Sequence, residues 1–216
     1  MIRALINCLK RFRSTETNKI LLKNGSGNII ENLGSLHQVN YDITGNNNLI
    51  KIGKNCVISN FRFYIKGNNH RILIGENCRI KGGDCWLEDD DGEINIGKNT
   101  TIESAHLAVT ETSRKIEIGE DCMFSYGIEV RTGDSHSIID RESGKRINFA
   151  KDITISDHVW VGAKATILKG CKIGKNSIIS TGAIVTKDVT ANTIVAGVPA
   201  KTVKTNINWL RERIDK

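Results

Sequence analysis

Branched aliphatic residues recur at every sixth position in the C-terminal half of the chain, over residues 155–185. An amphipathic helix places apolar residues at i, i+3 and i+4, and an ordinary strand alternates apolar with polar, so neither template explains a period of six. Such a period is typical of a coil with three short parallel faces, in which each face buries one aliphatic side chain and Gly or Asn turns the corner. The aliphatic positions are Ile155, Val161, Ile167, Ile173, Ile179 and Val185.

A longer repeat precedes this run and keeps its register. Four similar segments begin at Ile50, Ile72, Ile94 and Ile116, at intervals of 22 residues. Because 22 residues exceed three hexads by four, we expect each early coil to carry a small extra loop at one corner. The polar sequences GNNN, GNNH, DDDG and TSRK mark these loops, which either are simply solvated or wall a groove for a polar acceptor. The hexad positions are Ile52, Ile58, Ile74, Ile80, Ile96, Ile102, Ile118 and Phe124.

The register of the repeats divides the chain into three parts. Residues 43–204 are predicted to form an all-β solenoid, a parallel β-helix in which neighbouring coils bury one another. Residues 1–42 are expected to form a short basic helix and an irregular capping coil, and residues 205–216 a C-terminal capping helix. The interval from Ile118 to Ile155 is too long for one coil, so residues 131–152 are predicted to protrude as a loop. Insertions in repeat proteins often lie on a binding face, which makes this loop the first place to look for chemistry.

Charge and cysteine content narrow the classes of function. The net charge of +7 favours an anionic partner, but the basic residues are interspersed with acidic ones, which argues against nucleic acid. The basic N-terminal segment fits a cap, a subunit contact or a peripheral contact with an anionic membrane surface. The six cysteines form no CxxC motif, and Cys56, Cys78 and Cys122 recur at equivalent positions, so we predict that they fill the interior. Reduced cysteines are typical of a cytoplasmic protein.

The predicted loop contains one histidine, His136, which is a candidate for acid–base chemistry. An imidazole titrates near neutral pH and can take a proton from a hydroxyl, while a nearby carboxylate fixes its tautomer. Asp134 is the first candidate for that carboxylate, because residues i and i+2 of an extended segment project in the same direction. Glu129 is an alternative. The other histidines, predicted to be structural or solvated, with His158 exposed at a corner, are His37, His70, His106 and His158.

Residues 160–204, from WVGAKAT through TKDV to AGVPAK, resemble the signature of hexapeptide-repeat acetyltransferases. This family includes galactoside, maltose, xenobiotic and polysaccharide acetyltransferases. The resemblance implies a left-handed parallel β-helix and a homotrimer with active sites between subunits. It also implies acetyl-CoA as donor, no metal, and His136 as a general base that deprotonates an acceptor hydroxyl. The hydroxyl then attacks the thioester directly, without an acyl-enzyme.

The same resemblance also implies which residues of this chain bind the cofactor. Trp160 matches a tryptophan beside the pantetheine arm, and Ala163 matches a small residue three positions on. Thr181 and Gly182 match the turn whose backbone approaches the thioester arm, although Ala183 replaces the serine of many relatives. The positions that match the nucleotide end are Thr186, Lys187, Lys201 and Lys204.

We therefore predict an O-acetyltransferase that acts on a saccharide hydroxyl in cell-envelope polysaccharide synthesis. Two alternatives within the family are an N-acetyltransferase acting on an amino sugar and a xenobiotic acetyltransferase, and a non-catalytic solenoid scaffold is an alternative outside it. A zinc carbonic anhydrase of similar fold is disfavoured, because Arg141 occupies the position five residues beyond His136 where a second histidine is required. Cys171 is a poor nucleophile candidate, since it has no acid–base partner nearby in sequence.

Overall fold

A computed structural model describes residues 19–215, and every helix or strand assigned within this range is a β-strand. Nothing in these residues forms a helix long and apolar enough to cross a membrane. The strands are β1 (Lys19–Asn24), β2 (Ile29–Asn32), β3 (Ser35–Thr44), β4 (Leu49–Ile52), β5 (Val57–Asn68), β6 (Arg71–Ile74), β7 (Arg79–Ile80), β8 (Gly83–Asp90), β9 (Glu93–Ile96), β10 (Thr101–Ile102), β11 (Ala105–Val109), β12 (Lys115–Ile118), β13 (Met123–Phe124), β14 (Ile128–Arg131), β15 (Ile153–Ile155), β16 (Trp160–Val161), β17 (Thr166–Ile167), β18 (Lys172–Ile173), β19 (Ile178–Ile179), β20 (Ile184–Val185), β21 (Ile194–Ala196) and β22 (Lys201–Lys204).

The strands stack into three faces that wind as a left-handed parallel β-helix, which confirms the predicted fold. Face A is a seven-stranded sheet in the order β18-β15-β12-β9-β6-β4-β2. Faces B and C belong to one larger sheet, because β5 pairs with β7 through its first residues and with β8 through the rest. Face B continues through β10, β13, β16, β19 and β21, and face C through β11, β14, β17 and β20.

The inward side of each face is a ladder of apolar side chains. The six hexad residues of 155–185 are each at most 1% exposed, which confirms that they anchor the faces. Cys56, Cys78 and Cys122 are buried among them, as predicted. On face A, direct register joins Ile52, Ile74, Ile96, Ile118, Ile155 and Ile173.

Each coil turns through left-handed backbone at edge AB, the corner between faces A and B. Asn adopts this conformation more readily than most other non-glycine residues, as the predicted Asn corners require. Side chains also join neighbouring corners, from Asn55 Nδ2 to Asn77 Oδ1 at 3.1 Å and from Asn77 Nδ2 to Asn99 Oδ1 at 3.3 Å. The positive-φ residues of edge AB are Asn55, Asn77, Asn99, Asp121, His158, Asn176 and Asn192.

The four extra residues of each early coil mainly lengthen face C. Strand β5 pairs with β8 from Phe61 opposite Gly83 to Asn68 opposite Asp90, whereas β17 and β20 contain two residues each. The chain then turns at edge CA, between faces C and A, through the polar sequences GNNN, GNNH and DDDG. The prediction of an added loop is therefore wrong for most of the insertion. Pairing in register satisfies the backbone hydrogen bonds of the added residues, which a loop would leave to water.

Strands β2 and β3 form a regular coil, so the prediction of an irregular cap up to residue 42 is wrong for them, whereas β1 pairs with β3 through a break in register between Leu22 and Asn24. Strand β3 pairs with β5 in parallel, and β2 pairs with β4. Val39, Tyr41 and Ile43 alternate along β3 and are buried. This alternation places the segment on face C even though the hexapeptide signature is absent. The predicted basic helix belongs to residues 1–18, outside the described residues.

Residues 205–215 form no helix, so the predicted C-terminal capping helix is wrong. The segment instead runs back along edge AB, where Trp209 Nε1 donates to His158 O at 2.9 Å and Arg211 Nε donates to Asp121 Oδ1 at 3.0 Å. Trp209 is buried. An isolated helix of this length is marginal in water, and contacts with the corner carbonyls stabilise the extended path more.

The same tail encloses His158, which the sequence predicts to be exposed. Its Nδ1 lies 2.7 Å from Asp121 Oδ2 and its Nε2 lies 2.9 Å from Trp209 O. The imidazole also stacks on the Trp209 indole, with ring centroids 4.0 Å apart. His158 is therefore a structural residue that fastens the tail to edge AB.

Candidate functional site

The chain between β14 and β15 leaves the solenoid at edge CA and forms an ordered loop. Asn148, a buried residue of this loop, donates from Nδ2 to His136 O at 2.7 Å and accepts from Ile138 N at 2.7 Å. Arg146 forms an ion pair with Glu111 of the preceding coil. These bonds hold the two arms of the loop together and fasten them to the solenoid.

His136 is an exposed residue in the first arm of this loop, before the bridge between Ile139 and Arg146. Its backbone is fixed, since His136 N donates to Asp134 O at 2.8 Å and its carbonyl accepts from Asn148. Its imidazole forms no hydrogen bond with any residue in 19–215. The ring is therefore accessible, and both of its nitrogens are available to a substrate or to another subunit.

Asp134 does not orient the His136 ring in the way predicted from their i, i+2 spacing. Ser135 has a φ of 64°, so the segment is not extended, and the two side chains do not project together. Asp134 Oδ2 instead accepts from Asn148 Nδ2 at 2.8 Å and from Lys169 Nζ. The Lys169 hydrogen bond lowers the pKa of the Asp134 carboxyl below its usual value. Asp134 thus anchors the loop in its ionised form.

Asn148 and Lys169 are the residues that sequence reasoning missed in this loop. Lys169 Nζ also donates to Asn148 O at 2.8 Å, so one ammonium group ties both arms to the following coil. Asn148 belongs to no recognisable motif, and Lys169 lies within residues 160–204 but at none of the positions that the resemblance assigns to the cofactor. Their separation from Asp134 in sequence leaves no signal from which the contacts can be found.

Three of the predicted cofactor residues meet at edge BC, the corner between faces B and C. Gly182 N donates to Ala163 O at 2.8 Å, which stacks the two turns directly, and Thr181 is exposed beside them. Gly182 has a φ of 70° and no heavy atom within 4 Å of the position a Cβ would take. The edge is open to solvent there. Ala183 is fully buried, so its replacement of serine does not change the exposed side of this edge.

The remaining predicted cofactor residues occupy other parts of the surface. Trp160 lies on face B and is 38% exposed. Lys201 and Lys204 are exposed on β22, which pairs with β21 at the C-terminal end of face B. Thr186 and Lys187 follow β20, at edge CA. Within one chain, the predicted residues thus form one group at edge CA and another that spans edge BC and face B.

A second histidine site lies on face C of the early coils. His106 Nδ1 is 2.9 Å from Asp84 Oδ1, and Arg62 Nη2 donates to Asp84 Oδ2 at 3.3 Å. The prediction that His106 is structural or solvated overlooks this arrangement. The signal was present in the repeat, since Arg62, Asp84 and His106 are spaced by 22 residues and must occupy one column.

Comparison with known proteins shows which family this architecture resembles. Residues 152–187 match the family model described as bacterial transferase hexapeptide (six repeats). A polysialic acid O-acetyltransferase of Escherichia coli O1:K1 / APEC is 46% identical over 91 residues, which cover 42% of this chain and 30% of the relative. A polysialic acid O-acetyltransferase of Neisseria meningitidis is 51% identical over 51 residues, which cover 24% of each chain. These sequence matches thus span less than a third of the relatives' own lengths.

Two crystal structures match nearly the whole described solenoid. The polysialic acid O-acetyltransferase OatWY superposes with a TM-score of 0.86 and 35% identity, over 92% of this chain and 93% of that chain. The polysialic acid-specific acetyltransferase NeuO superposes with a TM-score of 0.81 and 37% identity, over 92% and 90%. A β-helix with this signature and a protruding histidine loop defines the class of hexapeptide-repeat transferases. The chain belongs to the hexapeptide-repeat acetyltransferase family, and within it shares sequence and whole-chain architecture with OatWY and NeuO.

Proposed function

We propose that this protein is an O-acetyltransferase that transfers the acetyl group of acetyl-CoA to a hydroxyl of polysialic acid or a closely similar acidic polysaccharide. The observation that carries this proposal is the match to OatWY and NeuO over 92% of the chain at 35% and 37% identity. The net charge of +7 is suited to an anionic polymer. Cytoplasmic acetyl-CoA and five described cysteines, all free and buried, favour a cytoplasmic enzyme.

His136 is the proposed general base, because its imidazole is exposed and free of partners in the described chain. The imidazole removes the proton of the acceptor hydroxyl as the oxygen attacks the thioester carbonyl carbon. The carbon–sulfur bond then breaks, and the coenzyme A sulfur takes the proton from the imidazolium. The products are an acetyl ester, coenzyme A and a histidine restored to its neutral form.

Edge BC is the proposed track of the thioester arm. The stacked turns at Ala163 and Gly182 present backbone and small side chains, which permit close approach. Trp160 on face B offers a flat apolar surface to the pantetheine arm, and the exposed Lys201 and Lys204 offer ammonium groups to the phosphates.

The two separate groups of predicted residues favour a homotrimer with its active sites between subunits. His136, Thr186 and Lys187 lie at edge CA, while Ala163 and Gly182 lie at edge BC of the same chain. If edge CA of one subunit faces edge BC of the next, the base and the thioester arm meet. Mixing His136→Ala subunits with Ala163→Trp subunits is then expected to restore activity, because some mixed sites carry both intact halves. No restoration after subunit exchange contradicts this arrangement.

An acetyl-CoA consumption assay tests the proposed function. The acceptor panel contains oligomeric sialic acid, neutral oligosaccharides, amino sugars with a free amine and small aromatic alcohols. We expect turnover on the sialic acid oligomer and a product whose acetyl group is removed by mild base, as an ester requires. Turnover restricted to free amines assigns the N-acetyltransferase alternative. Absence of both coenzyme A binding and turnover would identify the protein as the non-catalytic scaffold.

A further inference from the structure

A column of polar side chains projects outward from face C in successive coils and continues beyond His106 to Glu129. Arg62, Asp84 and His106 occupy equivalent positions in β5, β8 and β11 and stand directly beside one another. Asp84 lies between the other two, 2.9 Å from the His106 Nδ1 and 3.3 Å from the Arg62 Nη2. Its side chain is only 15% exposed. The carboxylate is therefore held on both sides and cannot turn away from the histidine without losing a partner.

This arrangement determines which nitrogen of His106 is free. Burial raises the pKa of the Asp84 carboxyl, but the hydrogen bonds and charges of His106 and Arg62 outweigh burial and hold that pKa below its usual value. An ionised Asp84 only accepts hydrogen bonds, so His106 donates to it from Nδ1. Nε2 has no partner within residues 19–215, and in the uncharged form of the ring it presents a lone pair.

His106 lines a surface depression of about 370 Å³ at edge BC. Gly83, Ser104 and Gly127 line it with small residues, and Glu129, which is opposite His106 in the pairing of β11 with β14, lines it as well. The His106 side chain is 35% exposed, so it is accessible to a ligand in this space. An acceptor nitrogen in an open, small-walled depression is suited to a hydroxyl group.

A flat aromatic wall stands next to the depression. Tyr64 and Trp86 stack with ring centroids 3.8 Å apart, and the Arg62 guanidinium lies over the Trp86 ring at 5.1 Å. The edge of this wall reaches the histidine, since the Trp86 and His106 ring centroids are 6.2 Å apart. Each ring covers one face of the other, so the pair offers its ring edges and the outer face of Trp86 beside polar groups, a combination suited to the C–H face and hydroxyls of a sugar ring.

The depression continues the edge on which the thioester arm is proposed to lie. Lys164 N donates to Tyr126 O at 2.9 Å, and Gly182 N donates to Ala163 O at 2.8 Å, so consecutive turns of edge BC stack without a gap. Gly127, beside Tyr126, belongs to the depression. A ligand at His106 is therefore placed in line with a thioester arm at Ala163 and Gly182.

We infer that Asp84 and His106 form an acceptor subsite that binds a saccharide hydroxyl at His106 Nε2, with the sugar ring packed against Tyr64 and Trp86. This inference rests on the proposed function. His106 is a binding residue here, and His136 remains the proposed base. Neither the hexapeptide signature nor the histidine loop includes any of these residues.

Steady-state kinetics with oligomeric sialic acid as the varied substrate test the subsite. His106→Ala is expected to raise the KM for the oligomer about tenfold, the contribution of about one hydrogen bond. Turnover at saturation and the KM for acetyl-CoA are expected to stay within about twofold of wild type. His106→Gln, which keeps an acceptor atom, is expected to recover part of the affinity, and Asp84→Asn to lose affinity by releasing the ring. His37→Ala is the histidine control, since His37 lies outside the depression.

An unchanged KM for the oligomer in both His106→Ala and Asp84→Asn overturns the inference. A hundredfold loss of turnover at an unchanged KM also overturns it, because His106 then acts in the chemical step. A change in oligomeric mass without a change in KM assigns the depression to a subunit contact and overturns it as well. The thermal unfolding midpoint of each variant separates these outcomes from misfolding, and Trp86→Leu supplies an independent variant if the His106 variants do not fold.

Direct titration of the sialic acid oligomer without acetyl-CoA separates this inference from the proposed function. If wild type binds the oligomer and His106→Ala binds it more weakly, the subsite stands even where no acetyl transfer is found. If wild type transfers acetyl groups but the two proteins bind the oligomer equally, the proposed function stands and the subsite falls. Absence of oligomer binding by wild type also overturns the subsite.

Discussion

The early coils of 22 residues and the late coils of 18 share one register but present different surfaces. In the early coils, face C is wide, and its strands pair over up to eight residues, as β5 and β8 do. In the late coils, β17 and β20 have two residues each, and most of the surface is corner. The wide face carries outward columns of charged and aromatic side chains, while the narrow coils expose small turns. Four added residues per coil therefore widen face C enough to carry outward columns of functional side chains.

The interior changes in parallel with the surface. One inward column of face C passes from Phe63 through Cys85, Leu107 and Val130 to Ile167. Phe63 packs against Tyr41 and Phe61 with ring centroids 5.0 and 5.1 Å apart. Rings fill this column in the first two wide coils, because protein interiors tolerate few voids, whereas the next two wide coils fill it with Cys85 and Leu107.

The largest expected effect lies at the boundary between the two regions, in the loop that carries His136. His136→Ala is expected to lower turnover by about two to four orders of magnitude, the usual contribution of a general base, and to leave coenzyme A affinity nearly unchanged. Single-turnover acetyl transfer and calorimetry measure the two quantities. Ser137→Ala, an exposed neighbour, is the control. Wild-type turnover in His136→Ala would show that His136 is not the general base.

The wide and narrow coils should also differ in what their cores tolerate. Phe63→Ala is expected to lower the free energy of unfolding by about 3–5 kcal/mol, because it leaves a large cavity in a wide coil. Ile167→Val, in the same column of a narrow coil, is expected to lower it by about 0.5–1.5 kcal/mol. Denaturant titration of both variants gives the comparison. A loss in Phe63→Ala no greater than in Ile167→Val would show that the wide core collapses around the gap.

The affinity for coenzyme A should depend on the late coils and the strands that follow them, and not on the early coils. Lys201→Ala is expected to weaken coenzyme A binding about tenfold, the loss of one charge-assisted hydrogen bond to phosphate, with little effect on saturated turnover. Lys81→Ala is the control, because Lys81 is an exposed lysine of an early coil, paired with Glu103 at 2.8 Å. Calorimetric titration measures both. Equal affinities for wild type and Lys201→Ala would exclude Lys201 from the site.

The smallest effect is a pH dependence of stability that originates in the wide coils. His70 is buried, accepts at Nδ1 from Gly92 N at 3.0 Å and donates from Nε2 to Asp89 O at 3.0 Å, so it is held neutral. Burial lowers the pKa of His70 below its usual value. Below about pH 6.5 the unfolded chain binds a proton that the folded chain does not, so stability declines as the pH falls.

We expect His70 to contribute about 1 kcal/mol of this decline per pH unit in the acidic range. Urea titrations of wild type and His70→Gln at pH 7.5 and 5.5 measure the difference in the free energy of unfolding. His70→Gln should be less stable at pH 7.5 and show a shallower decline towards pH 5.5. Parallel curves for the two proteins would mean that other groups set the pH dependence.

Much of the solenoid was predictable from local pattern, and much of the site was not. The buried hexad column and the Asn corners follow from the period, because each coil repeats the same few backbone positions. The extended tail of Trp209 and the left-handed Ser135 were not predictable, because each depends on contacts with distant residues. Asp134 shows the consequence, since its partner is Lys169 and not the His136 ring.

The sequence by itself determined the parallel solenoid, its coil boundaries and the exposed loop that contains His136. Hydrogen-bonded stacking imposes one repeat period on the coils. An interruption of that period can therefore be recognised in the amino-acid sequence. Only the tertiary structure decided which side chains meet across coils. It placed Asp84 against His106, bound Asp134 to Lys169, and separated edge BC from edge CA on one chain. Such contacts depend on backbone angles and on the direction of each side chain, which a repeat period does not specify.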